Sequence, residues 1–299
     1  MRSIVALLAF SYLLSAQAKT ATEFASLETF KTKGGGQHLL RESVGPAQWK
    51  GQYTPGEVTV AGAGESAPGV WPLSEGTVVR HRPKIVSSTK SFDGGMKTFK
   101  RGNVQFESGS KMARENAVFV VQAGGVLRNV IIAGGGGVFC ETHNCVLVNV
   151  WFKDSLQGAL HIHSGTGLTT VTGGGAKNVA GSIIFGQASG TVVVSGGFYM
   201  ENSGRLFESC GTCGPVTRKI VVDGVVSVNP TAELIRVNSN YKDRGTIYSA
   251  TITTTNANYP LCTRYNGGAV PQKLGVGAAP PVCSFSRSDV RIKPAKRAV

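Results

Sequence analysis

Few side chains in this sequence combine type and spacing in a way that could do chemistry. His161 and His163 alternate in Leu160-His161-Ile162-His163, so on a strand both imidazoles face one way. Two histidines on one face can bind a metal, but the spacing supplies no third ligand. Glu141 and His143 lie between Cys140 and Cys145, where local structure is the simpler role. Cys210-x-x-Cys213 with Cys140, Cys145 and His143 has the donor types of a zinc site. Disulfides are the competing reading, and sequence proximity then pairs Cys140 with Cys145, Cys210 with Cys213, and Cys262 with Cys283. Glycine runs at 34–36, 134–137 and 173–175 lack the Gly-Lys-Ser/Thr ending of a phosphate loop and read as turns. No serine or cysteine nucleophile signature is present.

Positive charge is plentiful: 31 Lys and Arg against 17 Asp and Glu give a formal +14. Such a balance favours an acidic partner: a polyanionic polysaccharide, a membrane surface or nucleic acid. The motifs of nucleic-acid readers are absent, so no nucleic-acid role is expected. The amino end reads as a signal peptide over residues 1–18. Arg2 supplies the basic start, residues 4–14 the apolar run, and Ala16-Gln17-Ala18 the cleavage pattern. That run is too short for a membrane span, so the protein is expected to be secreted. An oxidising route favours disulfides over zinc.

The elements that must position these residues are short strands. Val-, Ile- and Thr-rich runs at 126–132, 146–152, 168–175, 191–198, 221–228 and 246–252 are bounded by Gly, Asn or Ser. They recur every 20 residues or more with no amphipathic helix between them, which predicts a solenoid of stacked coils. A parallel β-helix is the economical form, with an antiparallel sandwich as the alternative. The fold class is therefore all-β. Earlier strands are expected at 58–60, 77–79, 85–86 and 117–121, a turn at Phe92-Asp93-Gly94-Gly95, and a polar loop over 106–114. Residues 19–69 are Gly-, Ser- and Pro-rich and read as a leader or linker. The coils occupy 70–261. Residues 262–299 read as a disulfide-closed loop followed by a basic tail with Arg287, Arg291, Lys293, Lys296 and Arg297.

The order of motifs carries more. Leu127-Arg128-Asn129-Val130-Ile131-Ile132 is followed by Cys140-Glu141-Thr142-His143-Asn144-Cys145 and Val148-Asn149-Val150-Trp151. Then come Gly204-Arg205-Leu206-Phe207-Glu208-Ser209-Cys210-Gly211-Thr212-Cys213 and Val237-Asn238-Ser239-Asn240-Tyr241. This closely resembles the small, cysteine-containing pectate lyases of polysaccharide lyase family three, especially oomycete and fungal members, over about residues 71–262. Ser-Cys-Gly-x-Cys and Asn-x-Asn-Tyr are the specific parts. The resemblance implies a right-handed, single-stranded parallel β-helix, a monomer, and calcium-dependent β-elimination on polygalacturonate. In that reaction a base removes the proton beside the uronate carboxylate. Calcium and basic side chains stabilise the charge that develops, and the glycosidic oxygen leaves.

The same resemblance places this chain's departures on the chemistry. The family's calcium carboxylates correspond to Gly136, Gln157 and Gly158. Its lysine after the Gly-Gly-Ala segment corresponds to Ser182, and its base, an arginine, to Glu208. Cations persist at Arg205, Arg218 and Lys219, which are the expected substrate-binding residues. The implied protein meets acidic pectin but binds no calcium at the family site. Its cleavage is weak or lost, and the alternative is a non-catalytic pectin-binding wall or effector protein.

Overall fold

The computed structural model describes residues 71–106, 112–156 and 158–295. The expected signal peptide, the leader with its strand at 58–60, Gln157, Lys296 and Arg297 lie outside the described residues. The chain winds as a right-handed parallel β-helix. Each coil gives one short strand to a nine-stranded sheet. In chain order these are Lys84–Val86, Phe119–Val121, Val138–Thr142, Leu160–Ser164, Ser182–Gly186, Arg205–Ser209, Ile235–Asn238 and Cys262–Asn266, all parallel. Gln272–Val276 closes that sheet antiparallel to Cys262–Asn266.

The rest of each coil belongs to a 12-stranded sheet that is bent along its length. Within Val146–Ser155, Val146 to Val148 pair with Thr170 to Thr172, whereas Trp151 to Ser155 pair with Gly175 to Val179. The bend falls at Asn149, whose φ is 54°, and the coil before it bends at Asn129, φ 52°. Asparagine is one of the few residues with a side chain that tolerates this left-handed region. Asn149 Nδ2 donates to Asn129 Oδ1 at 2.9 Å, and Asn129 Nδ2 donates to Asp93 Oδ2 at 2.9 Å. The corner is thus a ladder running up three coils. Phe92-Asp93-Gly94-Gly95 belongs to the same corner. It does not end a strand, as a turn would, but forms an irregularity inside Ser91–Arg101, with Gly95 and Met96 both at φ 56°.

Alternate residues of each strand point inward and stack in columns. Phe119, Val138, Leu160, Ile184, Phe207, Ile235 and Cys262 are successive register partners, and each is almost wholly buried. All six cysteines are oxidised, paired 140–145, 210–213 and 262–283, which removes the zinc alternative. Parallel pairing continues past residue 262. Cys262–Asn266 pairs in parallel with Ile235–Asn238, and Val290–Pro294 pairs in parallel with Arg244–Thr254. Arg291 and Lys293 therefore stand, exposed, on a strand.

Candidate functional site

The outward column of the short-strand sheet collects the polar chemistry. Reading register partners from coil to coil gives Val120, Phe139, His161, Phe185, Glu208, Arg236 and Thr263. The column has an aromatic half and a charged half.

In the aromatic half, ring centroids are 5.1 Å apart for Phe139 and His161 and 5.2 Å for His161 and Phe185. That is the rise of one coil. His163, two residues along its strand, lies 5.1 Å from Phe139 and 5.8 Å from His161, so the two imidazoles do share a face. His161 is buried, with Nδ1 donating to the Met112 carbonyl at 3.0 Å and Nε2 3.1 Å from the Gln187 side-chain amide. Glu141 Oε1 pairs with Arg114 Nε at 2.6 Å, and Gln122 Nε2 donates to Glu141 Oε2 at 3.1 Å. Met112 packs with Ala117, Val120 and Phe139 in an apolar cluster outside the helix core. Between these groups lies a recess of about 390 Å³.

In the charged half, Arg205, Glu208, Glu233 and Arg236 close a four-membered ring. Arg205 Nη1 meets Glu208 Oε2 at 2.7 Å, and Arg205 Nε meets Glu233 Oε1 at 3.3 Å. Arg236 Nε meets Glu233 Oε1 at 2.7 Å, and Arg236 Nη1 meets Glu208 Oε1 at 3.6 Å. The ring is neutral as a whole. Burial pushes the Glu233 carboxyl up, but Arg205 and Arg236 more than offset it and hold the group below its usual range. The Arg236 guanidinium also lies 4.5 Å from the Tyr265 ring centroid.

The remaining expected site residues separate. Ser182 opens its strand as the backbone partner of Arg205. Arg218 is buried. Its Nε and Nη2 donate to the Gln187 carbonyl at 2.9 and 2.7 Å, and Nη1 donates to that of Val216 at 3.1 Å. Its charge therefore holds backbone and is not presented to solvent. Lys219 is exposed on the other sheet, as register partner of Arg244. Gly136 has φ 75°, and a Cβ built on it would lie 2.7 Å from the Asn116 carbonyl oxygen and 2.8 Å from the Phe106 ring. Gly158, at φ 84°, backs onto the Ser182 carbonyl and accepts from Ser155 Oγ at 2.5 Å.

The sequence motif around Asn238 is structural. Asp243, fully buried, accepts from Ser209 Oγ at 2.5 Å, Arg218 N at 2.8 Å and Asn238 N at 2.8 Å. Burial raises its carboxyl above the usual value, and these donors offset part of that rise. Tyr241 Oη donates to the Gly211 carbonyl at 3.0 Å, so the motif ties down the loop holding Cys210 and Cys213.

Coils, corners and cysteine bridges define a parallel β-helix of the kind solved for bacterial pectate lyases. Pectate lyase Pel3 from Pectobacterium carotovorum matches with TM-score 0.60 and 23% identity, over 70% of this chain and 67% of that one. The catalytic domain of pectate lyase PelI from Erwinia chrysanthemi gives TM-score 0.56 and 24% identity, over 70% of this chain and 100% of that one. The pectate lyase family model matches residues 68–270, and the chain belongs to that family. Probable pectate lyase D of Emericella nidulans is 37% identical over 213 residues, 69% of this chain and 79% of that protein. Pectate lyase H of the same fungus is 38% identical over 199 residues, 66% of this chain and 74% of that protein.

Proposed function

We propose that this protein is a secreted family member that binds pectic polysaccharide and has lost the calcium-dependent elimination. One observation carries the reading. Glu208, at the position the resemblance gives to the base, has both carboxylate oxygens engaged by Arg205 and Arg236. It presents no free basic group to a uronate. The donor set at the family's calcium positions does not fit a hard cation, because Gly136 and Gly158 have no side chain and the third position is Gln157. Loss of a general base alone costs roughly 10²–10⁴ in rate. Lys219 with Arg244 supplies exposed cations for an acidic chain. A pectic partner is also consistent with PelI from Erwinia chrysanthemi, solved in complex with tetragalacturonic acid.

Relatives named as pectate lyases favour the second reading, an enzyme that still cleaves with substitute residues. Incubating purified protein with polygalacturonate, with calcium or with chelator, separates the two by absorbance of the unsaturated product. The expected result is no calcium-dependent product together with salt-sensitive co-sedimentation with pectate. Turnover at the rate of an active relative overturns the proposal.

A further inference from the structure

We propose that the recess over Phe139 and His161 takes an uncharged pyranose ring, either a neutral sugar or a galacturonate whose carboxyl is methyl-esterified. The inference rests on the reading of this protein as a binder of pectic polysaccharide, and it assigns the chemistry of one subsite.

Three observations carry it. The recess holds about 390 Å³, within the roughly 300–1,000 Å³ of small-ligand sites. One side is π-rich: Phe139 and His161 stand 5.1 Å apart on adjacent coils, and His163, which is exposed, lies 5.1 Å from Phe139. The apolar face of a sugar ring packs against such a surface. The opposite wall is polar but balanced. Arg114 Nε pairs with Glu141 at 2.6 Å, so a carboxylate entering the recess meets a pair with no net charge, whose acid repels it. Hydroxyl groups, by contrast, find Gln187, His163 and the second Glu141 oxygen. The exposed cations Lys219 and Arg244 stand on the other sheet, so an acidic stretch of the same polymer has a separate place to bind.

The test uses the intact protein and three oligosaccharides of equal length: oligogalacturonate, its fully methyl-esterified form, and a neutral galactan. Binding is followed by calorimetry and by shifts of the His161 and His163 imidazole proton signals. The uncharged ligands are expected to bind at least about tenfold tighter at the recess than oligogalacturonate and to move both signals. His163→Ala is expected to weaken them about tenfold. Phe139→Leu, which keeps an apolar side chain and removes the π face, is expected to do the same. If the esterified ligand alone binds, the source is pectin. If the galactan binds equally, it is any neutral chain.

Oligogalacturonate that moves the imidazole signals and loses affinity in His163→Ala overturns the inference. If oligogalacturonate is lost only in Lys219→Ala with Arg244→Ala, and uncharged ligands do not bind, the subsite fails while the pectin reading stands. If galactan alone binds, the subsite stands and the pectin reading fails.

Discussion

Glu208 and Arg236 are register partners on adjacent coils, and their side chains meet at 3.6 Å, Oε1 to Nη1. With Arg205 and Glu233 they make a square of alternating charge that shows no net cation to solvent. Removing one corner unbalances it. Glu208→Gln leaves two guanidinium groups sharing one carboxylate, and the face becomes positive. We expect tighter, salt-sensitive retention on polygalacturonate and a stability loss of about 1–3 kcal/mol, between the exposed and fully buried limits for ion pairs. Co-sedimentation at low and high salt and a urea titration measure both. Unchanged retention would mean that this face does not meet the polymer.

Restoring the two missing basic groups should not restore cleavage. Ser182→Lys with Glu208→Arg supplies the family's lysine and base types, but puts Arg205, Arg236 and two new cations around Glu233 alone. No carboxylate returns at residues 136, 157 or 158. The expected product signal with calcium stays at background, and the melting temperature falls. A calcium-dependent rise in unsaturated product would place the lost function in those two residues only.

A calcium ligand cannot be returned at Gly136 by simple substitution. Its φ of 75° and the Asn116 carbonyl, 2.7 Å from a built Cβ, oppose any side chain there. Gly136→Asp is expected to cost about 1–3 kcal/mol from backbone strain, before any contact is counted. Gly134 has open space around its Cβ direction and a comparable positive φ of 73°, so Gly134→Asp controls for backbone strain. Equal losses at the two sites would show that crowding by Asn116 and Phe106 adds nothing.

The coil was legible because its period is written in the strands. The Asn129-Val130-Ile131 and Asn149-Val150-Trp151 repeats mark the same corner one coil apart. The outer face was less legible, because two side chains meet there only when coil length is known. Phe139, His161 and Phe185 are second, second and fourth in their strands, so the ladder emerges from register and not from position within a strand. Glu233 and Arg236 stand 28 residues beyond Arg205 and Glu208 with the charges reversed, a pattern that needs this coil's length to be seen. The burial of Arg218 was not legible for another reason. Three backbone carbonyl bonds make burial of a guanidinium affordable, and carbonyls have no signature in a sequence.

Acid should weaken the fold through His143. Its buried ring lies 3.1 Å, at Nδ1, from Thr169 Oγ1, and burial lowers its pKa to about 4, partly offset by a hydrogen bond to the Ala188 backbone. The folded value lies below the unfolded one of about 6.5. The unfolded chain therefore binds a proton first as pH falls, and stability drops progressively from about pH 6.5 down to about pH 4. The shift corresponds to about 3 kcal/mol. Urea midpoints across this range should fall, and His143→Gln should flatten that limb while lowering stability at neutral pH. An unchanged slope in the variant would move the acid sensitivity to other groups.

Asn149 offers the sharpest test of what holds the corner. It combines a left-handed backbone with three side-chain bonds, donating to Asn129 Oδ1 and to Met96 Sδ and accepting from Trp151 Nε1 at 2.7 Å. Asn149→Gly keeps the backbone but leaves the nearly buried indole N–H without its acceptor, a loss of about 1–3 kcal/mol. Asn149→Ala loses the same bonds and adds about 1–2 kcal/mol for a Cβ in the left-handed region. Ala should therefore be the worse of the two by that difference in urea unfolding. Trp151 packs edge-on against Trp71, with centroids 5.1 Å apart, so both variants should shift its fluorescence. Equal stabilities for Gly and Ala would mean that hydrogen bonding alone, and not φ, selects asparagine at this corner.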